Sequence, residues 1–430
     1  MGCTKTVKKE PREEVKRAIA ISGGGPTLGI AIGALESLQT EGIQFDVYSC
    51  ACIGSWVVCI YLSKDGTESK AGIEHLKKVY QENFRPDEVY KSYPFASFFQ
   101  PDIKHYLDCY SNKVLDKSTY EHLFLPDEWL KLLQKWMQSP GSGDMLSFLN
   151  DFYPLNPVIR FWSEVIFKSS LCGLVKQPNA DALAAGKIDF AKLNEATPRI
   201  YTNAYCFEKQ AIVLFTNKAK HESPASTNGY DLITADNLMA GSSLPYIYEP
   251  RPIDGQYYCE GATVDTVNFK SLLDNHPDLE EVWVLKIVDY KQMKRPQNLV
   301  EGLSNFPMIF ADTVADDDIK LFRYHLLEEE KFDLKYEKAE YEADSRLDEY
   351  DEKMKPTLWK SCQQPDDKQQ HDDKKKIKLV TIRVNYKDVN FDWNQANLKK
   401  GIKAGRDAAN RRVDSYREYM KRPFSLSRGT

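Results

Sequence analysis

The sequence predicts an α/β fold with a mainly parallel central sheet. An apolar run at 17–21 passes through a glycine-rich segment into a helical pattern that ends at residue 40. A strand-like run at 45–49 passes through a sharp turn into an apolar helical pattern at 55–62. Strands that alternate with helices in this way are typical of parallel sheets. Residues 197–215 alternate like a strand hairpin, and 281–289 has the pattern of another buried strand.

The first strand-to-helix connection contains three consecutive glycines, Gly23, Gly24 and Gly25. Residues without a Cβ leave their backbone N–H groups uncovered, and these groups lie at the positive end of the helix that follows. Both properties suit the binding of a developing oxyanion. We therefore predict that these three glycines supply the oxyanion donors.

The same glycines also allow a different interpretation. Gly23, Gly25 and Gly29 fit a loose dinucleotide-binding loop in which Asp46 would bind the ribose. A glycine pattern alone is a weak signal for nucleotide binding. A nucleotide-binding protein that uses the segment Gly23–Gly25 is therefore kept as an alternative.

The second connection resembles a nucleophile elbow, the strained turn of the motif G-x-S-x-G. Cys52 stands at the serine position, Cys50 at the first glycine and Gly54 at the last. A thiolate attacks acyl carbons readily, and the N-terminus of a helix is expected to lower the pKa of the thiol. The sequence thus predicts Cys52 as a nucleophile and Gly54 as the elbow glycine.

An acidic residue lies far downstream, where Glu260 precedes Gly261 and Ala262. It follows an apolar run and a small-residue helix end at 240–245. With this third motif the chain resembles the patatin-like phospholipases over 17–62 and 196–290. That family carries a glycine-rich oxyanion loop, a G-x-S-x-G serine and a D-G-G or D-G-A aspartate, which form a Ser-Asp dyad without histidine.

The resemblance implies a patatin-like three-layer α/β/α fold and a lipid acyl hydrolase that needs no cofactor and no metal. Cys52 stands at the family's serine and Glu260 at its aspartate, while Thr27 and Leu28 replace a common arginine and glycine. A decayed site drifts to alanine, glycine or asparagine, whereas both positions here keep a nucleophile and an acid. We predict a Cys52–Glu260 dyad, with a catalytically inert lipid-binding protein as the alternative.

An acyl group on a cysteine is a thioester, which amines and thiols attack more readily than they attack an oxygen ester. The sequence therefore predicts a lipid acyl hydrolase or acyltransferase that acts on a lipid or acyl ester through acyl-Cys52. A net charge of −5 over 430 residues gives no case for a nucleic-acid partner. Nine cysteines without metal-ligand spacing favour a reducing, cytoplasmic environment.

Residues 1–14 are expected to form a flexible leader that precedes a patatin-like domain at 15–430. Gly2 matches the acceptor of the myristoylation pattern, and Cys3 is a candidate for palmitoylation. An acylated leader would attach the protein peripherally to a membrane. The alternative is a charged leader without a lipid.

Two insertions interrupt the predicted domain. Residues 82–194 are rich in large aromatic residues and include an amphipathic helical pattern at 126–138. We expect a helical cap that covers Cys52, or alternatively a segment whose aromatic residues form only its own core. Residues 328–376 are dense in charge and are expected to form a solvated surface, before a terminal helix at 394–422.

Overall fold

The computed structural model describes residues 15–92, 100–123, 125–138, 145–168, 170, 172–218, 230–329, 331–336, 338 and 376–421. The predicted leader, with Gly2 and Cys3, and most of the charged insertion at 328–376 lie outside the described residues. The chain divides into two compact units. The first comprises 1–97, 178–244 and 251–430, and the second comprises 98–177 and 245–250.

The described strands are β1 (Arg17–Ile21), β2 (Val47–Cys50), β3 (Gln100–Pro101), β4 (Gly173–Lys176), β5 (Arg199–Cys206), β6 (Ala211–Thr216), β7 (Asp231–Leu232), β8 (Tyr246–Tyr248), β9 (Arg251–Ile253), β10 (Gln256–Glu260), β11 (Glu281–Leu285) and β12 (Lys378–Thr381). The described helices include α1 (Gly29–Thr40), α2 (Ile53–Ser63), α3 (Lys70–Asn83), α4 (Asp87–Ser92), α5 (Ile103–Leu115), α6 (Lys117–Leu123), α7 (Pro126–Gln138), α8 (Met145–Phe152), α9 (Pro157–Phe167), α10 (Ala180–Ala184), α11 (Phe190–Glu195), α12 (Ala235–Ala240), α13 (Lys270–Asn275), α14 (Leu299–Glu328) and α15 (Gln395–Lys421). None of these helices is long and apolar enough to cross a membrane.

A nine-stranded sheet forms the centre of the first unit, with the order β12-β11-β1-β2-β5-β10-β9 and with β6 and β7 added beside β5. The five strands from β12 to β5 run parallel, whereas β10 runs antiparallel to β5. All residues of β2 and β11 are buried, which means that other elements cover both faces of these strands. The mainly parallel sheet confirms the predicted fold class.

The register of β5 explains how two distant segments of the chain meet. Its first half pairs with β2, where Cys50 lies opposite Thr202, and its second half pairs with β10, where Glu260 lies opposite Ala204. Because β2 is parallel and β10 antiparallel to β5, both strands end at the same point, beside Asn203. The residues that follow Cys50 are therefore brought close to Glu260.

Glycines allow α1 and α15 to pack backbone against backbone. A Cβ added to Gly33 would lie 1.9 Å from the carbonyl oxygen of Ile402, and one added to Gly405 would lie 1.9 Å from that of Ile30. Such distances leave no room for any side chain. The contact fixes the terminal helix against the helix that follows the glycine loop.

We predict that Gly405→Ala destabilises the protein, because the added methyl group forces the two helices apart. Overpacking of this kind is expected to lower the free energy of unfolding by about 3 kcal/mol. Gly302→Ala, inside α14, is the matched control, since the nearest atom to its new Cβ lies 4.0 Å away. That change should raise stability by up to about 1 kcal/mol, because alanine is the better helix former. Denaturant unfolding of the two variants measures both effects, and equal stability would contradict the packing argument.

The second unit contains α5 to α9 and a small sheet with the order β3-β4-β8. It lies within the predicted insertion at 82–194, except for the residues 245–250 that add β8. Aromatic rings pack on each other inside this unit. Tyr110 lies 5.8 Å from Phe161 between ring centroids, and Trp129 lies 5.0 Å from Phe152. Tyr110 nevertheless stays exposed, and the buried apolar side chains described in this unit include Cys109, Leu123, Leu132 and Val165. Both interpretations of the insertion, a cap over Cys52 and a segment with only its own core, stay predictions.

Candidate active site

The predicted nucleophile lies at a strained turn between β2 and α2. Cys52 has φ 47° and ψ −124°, a conformation that L-residues other than glycine rarely adopt. Such strain costs on the order of 1–3 kcal/mol and clusters at functional sites. Gly54 allows the turn to pack closely, since a Cβ there would lie 2.9 Å from the carbonyl oxygen of Ile21. The local backbone is thus that of a nucleophile elbow.

The acid of the predicted dyad is buried at the end of β10. Glu260 is only 8% exposed, and its backbone N–H donates to the carbonyl of Ser243 at 3.0 Å. Its side chain forms a hydrogen bond with the thiol of Cys52. Gly261 is required next to the acid, because a Cβ there would lie 2.6 Å from Oδ1 of Asn203. The structure therefore brings Cys52 and Glu260 into direct contact.

Burial controls the electrostatics of this pair. It raises the pKa of the Cys52 thiol well above its usual range, and the neighbouring carboxylate of Glu260 raises this pKa further. Hydrogen bonds from the backbone N–H groups of Gly24 and Ile53 lower the pKa of the thiol by less than burial raises it. The expectation that the helix N-terminus would leave Cys52 with a lowered pKa is therefore wrong. Part of the residue is nevertheless accessible to solvent.

Burial also raises the pKa of Glu260, to about 7. The hydrogen bond from the thiol opposes this shift without cancelling it. Near neutral pH the thiol thus keeps its proton, while a substantial fraction of Glu260 is ionised. Glu260 is consequently the group that can accept the proton of Cys52.

The glycine loop contributes in a more specific way than the sequence predicts. The N–H of Gly24 points at the sulfur of Cys52, as does the N–H of Ile53. Gly23 instead donates its N–H to the carbonyl of Thr266 at 3.3 Å, so its predicted role as an oxyanion donor is not found. Its small size still matters, because a Cβ there would lie 3.1 Å from that of Cys52.

Gly25 has φ +52° and begins a short 3-10 turn at Gly25–Leu28. A Cβ added to it would lie 3.4 Å from the indole of Trp393 and 3.9 Å from Cε of Met308. Gly25 therefore allows the loop to turn beneath these two side chains. None of its described contacts assigns it as an oxyanion donor.

Three residues near the site were not predicted from the sequence. Ile53 supplies an N–H as the residue after the nucleophile, a donor that the elbow motif itself implies. Asn203 donates to the carbonyl of Asp265 at 2.8 Å and so fixes the turn after Glu260. Tyr80 of α3 is buried close enough to Cys52 for their charges to interact. Nothing in the local sequence indicates Asn203 or Tyr80, because both depend on tertiary contacts.

The position of Asp46 contradicts the dinucleotide interpretation. Its carboxylate accepts a hydrogen bond from the N–H of Arg17 at 2.8 Å, at the amino end of β1. The glycine loop follows the carboxyl end of the same strand. Because β1 and β2 are parallel, Asp46 and Gly25 lie at opposite ends of these strands. The proposed ribose partner is therefore remote from the loop.

One group of described side chains in the second unit has the composition of a metal site. Ligand atoms of Asp102, His105 and Glu249 lie within 4.8 Å of one another, and Nδ1 of His105 is 3.0 Å from Glu249. Imidazole and carboxylate groups are ligands that Zn²⁺ accepts. Asp102 also caps α5 through the N–H of His105.

An elbow that presents a nucleophile above the carboxyl end of a parallel sheet, beside a glycine loop, defines a class of α/β hydrolytic proteins. The patatin-like phospholipase family model matches residues 19–273, a segment that contains the glycine loop, Cys52 and Glu260. The chain belongs to this family, and the resemblance inferred from the three motifs is confirmed. Membership places the chain among proteins of the lipid hydrolase type.

Two further comparisons accompany the family match. A search of curated proteins found no match to this chain. Among solved structures, that of VipD from Legionella pneumophila is similar at 12% sequence identity. The similarity covers 94% of this chain and 67% of that chain, with a TM-score of 0.36.

Proposed function

We propose that this protein is a lipid acyl hydrolase that uses Cys52 as its nucleophile and Glu260 as its general base. The observation that carries the proposal is the hydrogen bond between the thiol, held at a strained elbow, and the buried carboxyl group. A pseudoenzyme has no need to maintain backbone strain at a residue that does no chemistry. The buried acid, whose pKa is near neutrality, also has the property expected of a general base.

In this mechanism the Glu260 carboxylate takes the proton of the thiol while Sγ bonds to the acyl carbon of the substrate. The N–H groups of Gly24 and Ile53 stabilise the negative charge that develops on the carbonyl oxygen. The bond between the acyl carbon and the alcohol oxygen then breaks, and the alcohol leaves with the proton from Glu260. The product at this stage is an acyl thioester on Cys52.

Water then attacks the acyl carbon and gives a proton to Glu260. The bond between the acyl carbon and Sγ breaks, the fatty acid leaves, and the proton passes from Glu260 to Sγ, which regenerates the thiol. The thioester also makes acyl transfer accessible, because an amine, thiol or alcohol can take the place of water. Adding such an acceptor to the assay distinguishes the two outcomes, since a transferase forms an acylated acceptor in place of free acid.

Trapping of the acyl-enzyme tests the proposal directly. Wild-type protein mixed with a stoichiometric activated acyl ester and quenched in acid should gain one acyl mass, located on Cys52 by peptide mass spectrometry. Cys52→Ala should gain none at this site, and Glu260→Gln should gain it much more slowly. Phospholipid, glycerolipid, acyl-CoA and p-nitrophenyl esters then define the substrate class. Lipid binding without any acylation of Cys52 would favour an inert lipid-binding protein.

We also propose that the leader attaches this cytoplasmic protein to membranes through myristoylation of Gly2 and palmitoylation of Cys3. A single myristoyl chain binds membranes only marginally, so two chains, or one chain with the basic residues nearby, are needed. The intact mass of the protein co-expressed with a myristoyltransferase measures the first modification. The second unit is proposed as the cap that shapes the acyl site.

A further inference from the structure

The outer face of α14 changes its chemistry along the helix. Near its start, the side chains of Phe306, Ile309 and Phe310 are 58%, 48% and 52% exposed. Their spacing places them on one face, and the two phenylalanine rings contact each other at 4.9 Å between centroids. Further along the same face stand Asp317 and Lys320, which form an exposed ion pair. The three apolar residues thus form a compact surface cluster, which this ion pair separates from the exposed Leu321 and Tyr324 further along the helix.

The opposite, buried face of α14 packs on the segments that carry the candidate active site. Met308, between the exposed residues, has its Cε 3.9 Å from the position of a Cβ on Gly25. Further toward the C-terminal end of α14, Asp318 accepts hydrogen bonds from the N–H groups of Thr266 and Val267, at 2.8 and 3.1 Å. These two residues closely follow Glu260 in the chain. The helix is therefore attached to both the glycine loop and the segment that carries the acid.

Positive charge lies next to the apolar cluster. Asn305 donates to the backbone carbonyl of Lys294 at 2.8 Å and so holds the preceding segment against α14, one residue from Phe306. Lys294 and Arg295 are both exposed. Within the part of the chain that the structure describes, neither side chain pairs with an acidic group. Two exposed cations without a described acidic partner thus lie in the segment that Asn305 holds against the start of the apolar cluster.

We propose that Lys294, Arg295, Phe306, Ile309 and Phe310 form a docking ridge for the surface of an anionic phospholipid layer. Apolar side chains that enter the boundary between headgroups and acyl chains, together with cations that meet lipid phosphates, are the two contributions that bind proteins to such surfaces. The inference rests on the proposed function, because a lipid hydrolase must reach a substrate held within a layer.

Vesicle sedimentation tests the ridge on unacylated protein, made without a myristoyltransferase so that the leader carries no lipid. Vesicles of phosphatidylcholine with about 30% phosphatidylserine present the anionic surface. Ile309→Ser with Phe310→Ser should weaken binding by roughly tenfold or more. The matched control on the same helix is Leu321→Ser with Tyr324→Ser, whose parent side chains are 67% and 46% exposed. This control should bind as the wild type does.

The cations are tested in the same assay. Lys294→Glu with Arg295→Glu should weaken binding to anionic vesicles and leave binding to pure phosphatidylcholine unchanged. The same charge change at the exposed residues Lys399 and Lys400 of α15 is the control. The proposal would be overturned if the wild-type protein does not bind vesicles. It would also be overturned if the ridge variants and the control variants lose equal amounts of vesicle binding.

Hydrolysis of a soluble p-nitrophenyl ester distinguishes a defect in membrane binding from a defect in catalysis. The ridge variants should hydrolyse this monomeric substrate at the wild-type rate, because the ridge does not touch the reacting atoms. Failure of the wild type to hydrolyse it would count against the proposed function alone, since vesicle binding is measured without turnover. Loss of soluble-ester hydrolysis in the ridge variants would instead show that the ridge belongs to the catalytic machinery, which contradicts the proposal.

Discussion

A Cys52→Ser variant is expected to become covalently labelled by a serine-directed fluorophosphonate, whereas the wild-type protein stays essentially unlabelled. The variant places a hydroxyl group at the strained elbow, next to a buried base and the N–H groups of Gly24 and Ile53. Those surroundings activate an oxygen nucleophile towards phosphorus in the same way as in a serine hydrolase. Thiols react poorly at phosphorus, so the wild type should resist the reagent. Intact mass after labelling gives the stoichiometry.

The design of this experiment depends on the other cysteines. Cys172 is exposed and will react with thiol reagents, whereas Cys50 and Cys59 are buried and burial raises their pKa well above the usual range. Alkylation must therefore be mapped by peptide, with Cys52→Ala as the blank. Because burial also raises the pKa of Cys52, its alkylation should accelerate as the pH rises. Strong phosphonate labelling of the wild-type protein would contradict the assignment of Cys52 as the nucleophile.

Local patterns predicted the elements that carry the site. The elbow, the glycine-rich connection and the terminal helix each depend on residues close in sequence, and the amphipathic pattern at 126–138 coincides with α7. The strand predicted at 281–289 ends earlier, at Leu285. The side chain of the next residue, Lys286, donates to Asp312 of α14 at 2.8 Å. That contact joins distant segments, so no local pattern could have indicated it.

The electrostatics of the dyad could not be predicted in the same way. The helix N-terminus and the glycine loop are visible in the sequence, and both lower the pKa of a thiol. Burial and the proximity of Glu260, which raise it, depend on the pairing of β2 and β10 with one strand, β5. Similarly, the N–H of Gly23 is used by Thr266 only because the segment after Glu260 returns to the loop. Long-range contacts thus decide whether the pKa of the Cys52 thiol is raised or lowered, and which N–H groups of the glycine loop are already used in hydrogen bonds.

Because the pKa of the Cys52 thiol is raised, the replacement of the family's serine by Cys52 and of its aspartate by Glu260 has a different interpretation. A cysteine with a lowered pKa would need little help from a base. The structure instead presents a protonated thiol whose proton has one described acceptor, the carboxylate of Glu260. The acid and the nucleophile therefore depend on each other, as they do in a serine-aspartate dyad. Activity should follow the ionisation of Glu260 rather than that of Cys52.

Glu260→Gln is accordingly expected to lower kcat/KM for an activated ester by about 10²- to 10⁴-fold, the usual contribution of a general base. For the wild type, kcat/KM should rise with pH through a midpoint near the pKa of Glu260, about 7, because only the ionised carboxylate accepts the thiol proton. The variant should lose that midpoint and retain only the rise that comes from ionisation of the thiol itself. Glu260→Asp, which keeps the charge and shortens the reach, should keep the midpoint at a lower rate. A pH profile that is the same in wild type and Glu260→Gln would exclude Glu260 as the base.

The same substitution should have the opposite effect on stability. Burial raises the pKa of Glu260 from an ordinary 4.5 to about 7, so ionisation of this group opposes folding. Between these two pKa values the folded state binds more protons than the unfolded state, and the stability of the wild type therefore falls as the pH rises. Glutamine does not ionise, so the stability of Glu260→Gln relative to the wild type should grow by roughly 2.5 kcal/mol from about pH 5 to about pH 8. Thermal unfolding of the two proteins at both pH values measures this difference. Reduced activity combined with this gain in stability distinguishes a removed base from a damaged fold, because a damaged fold would lose both.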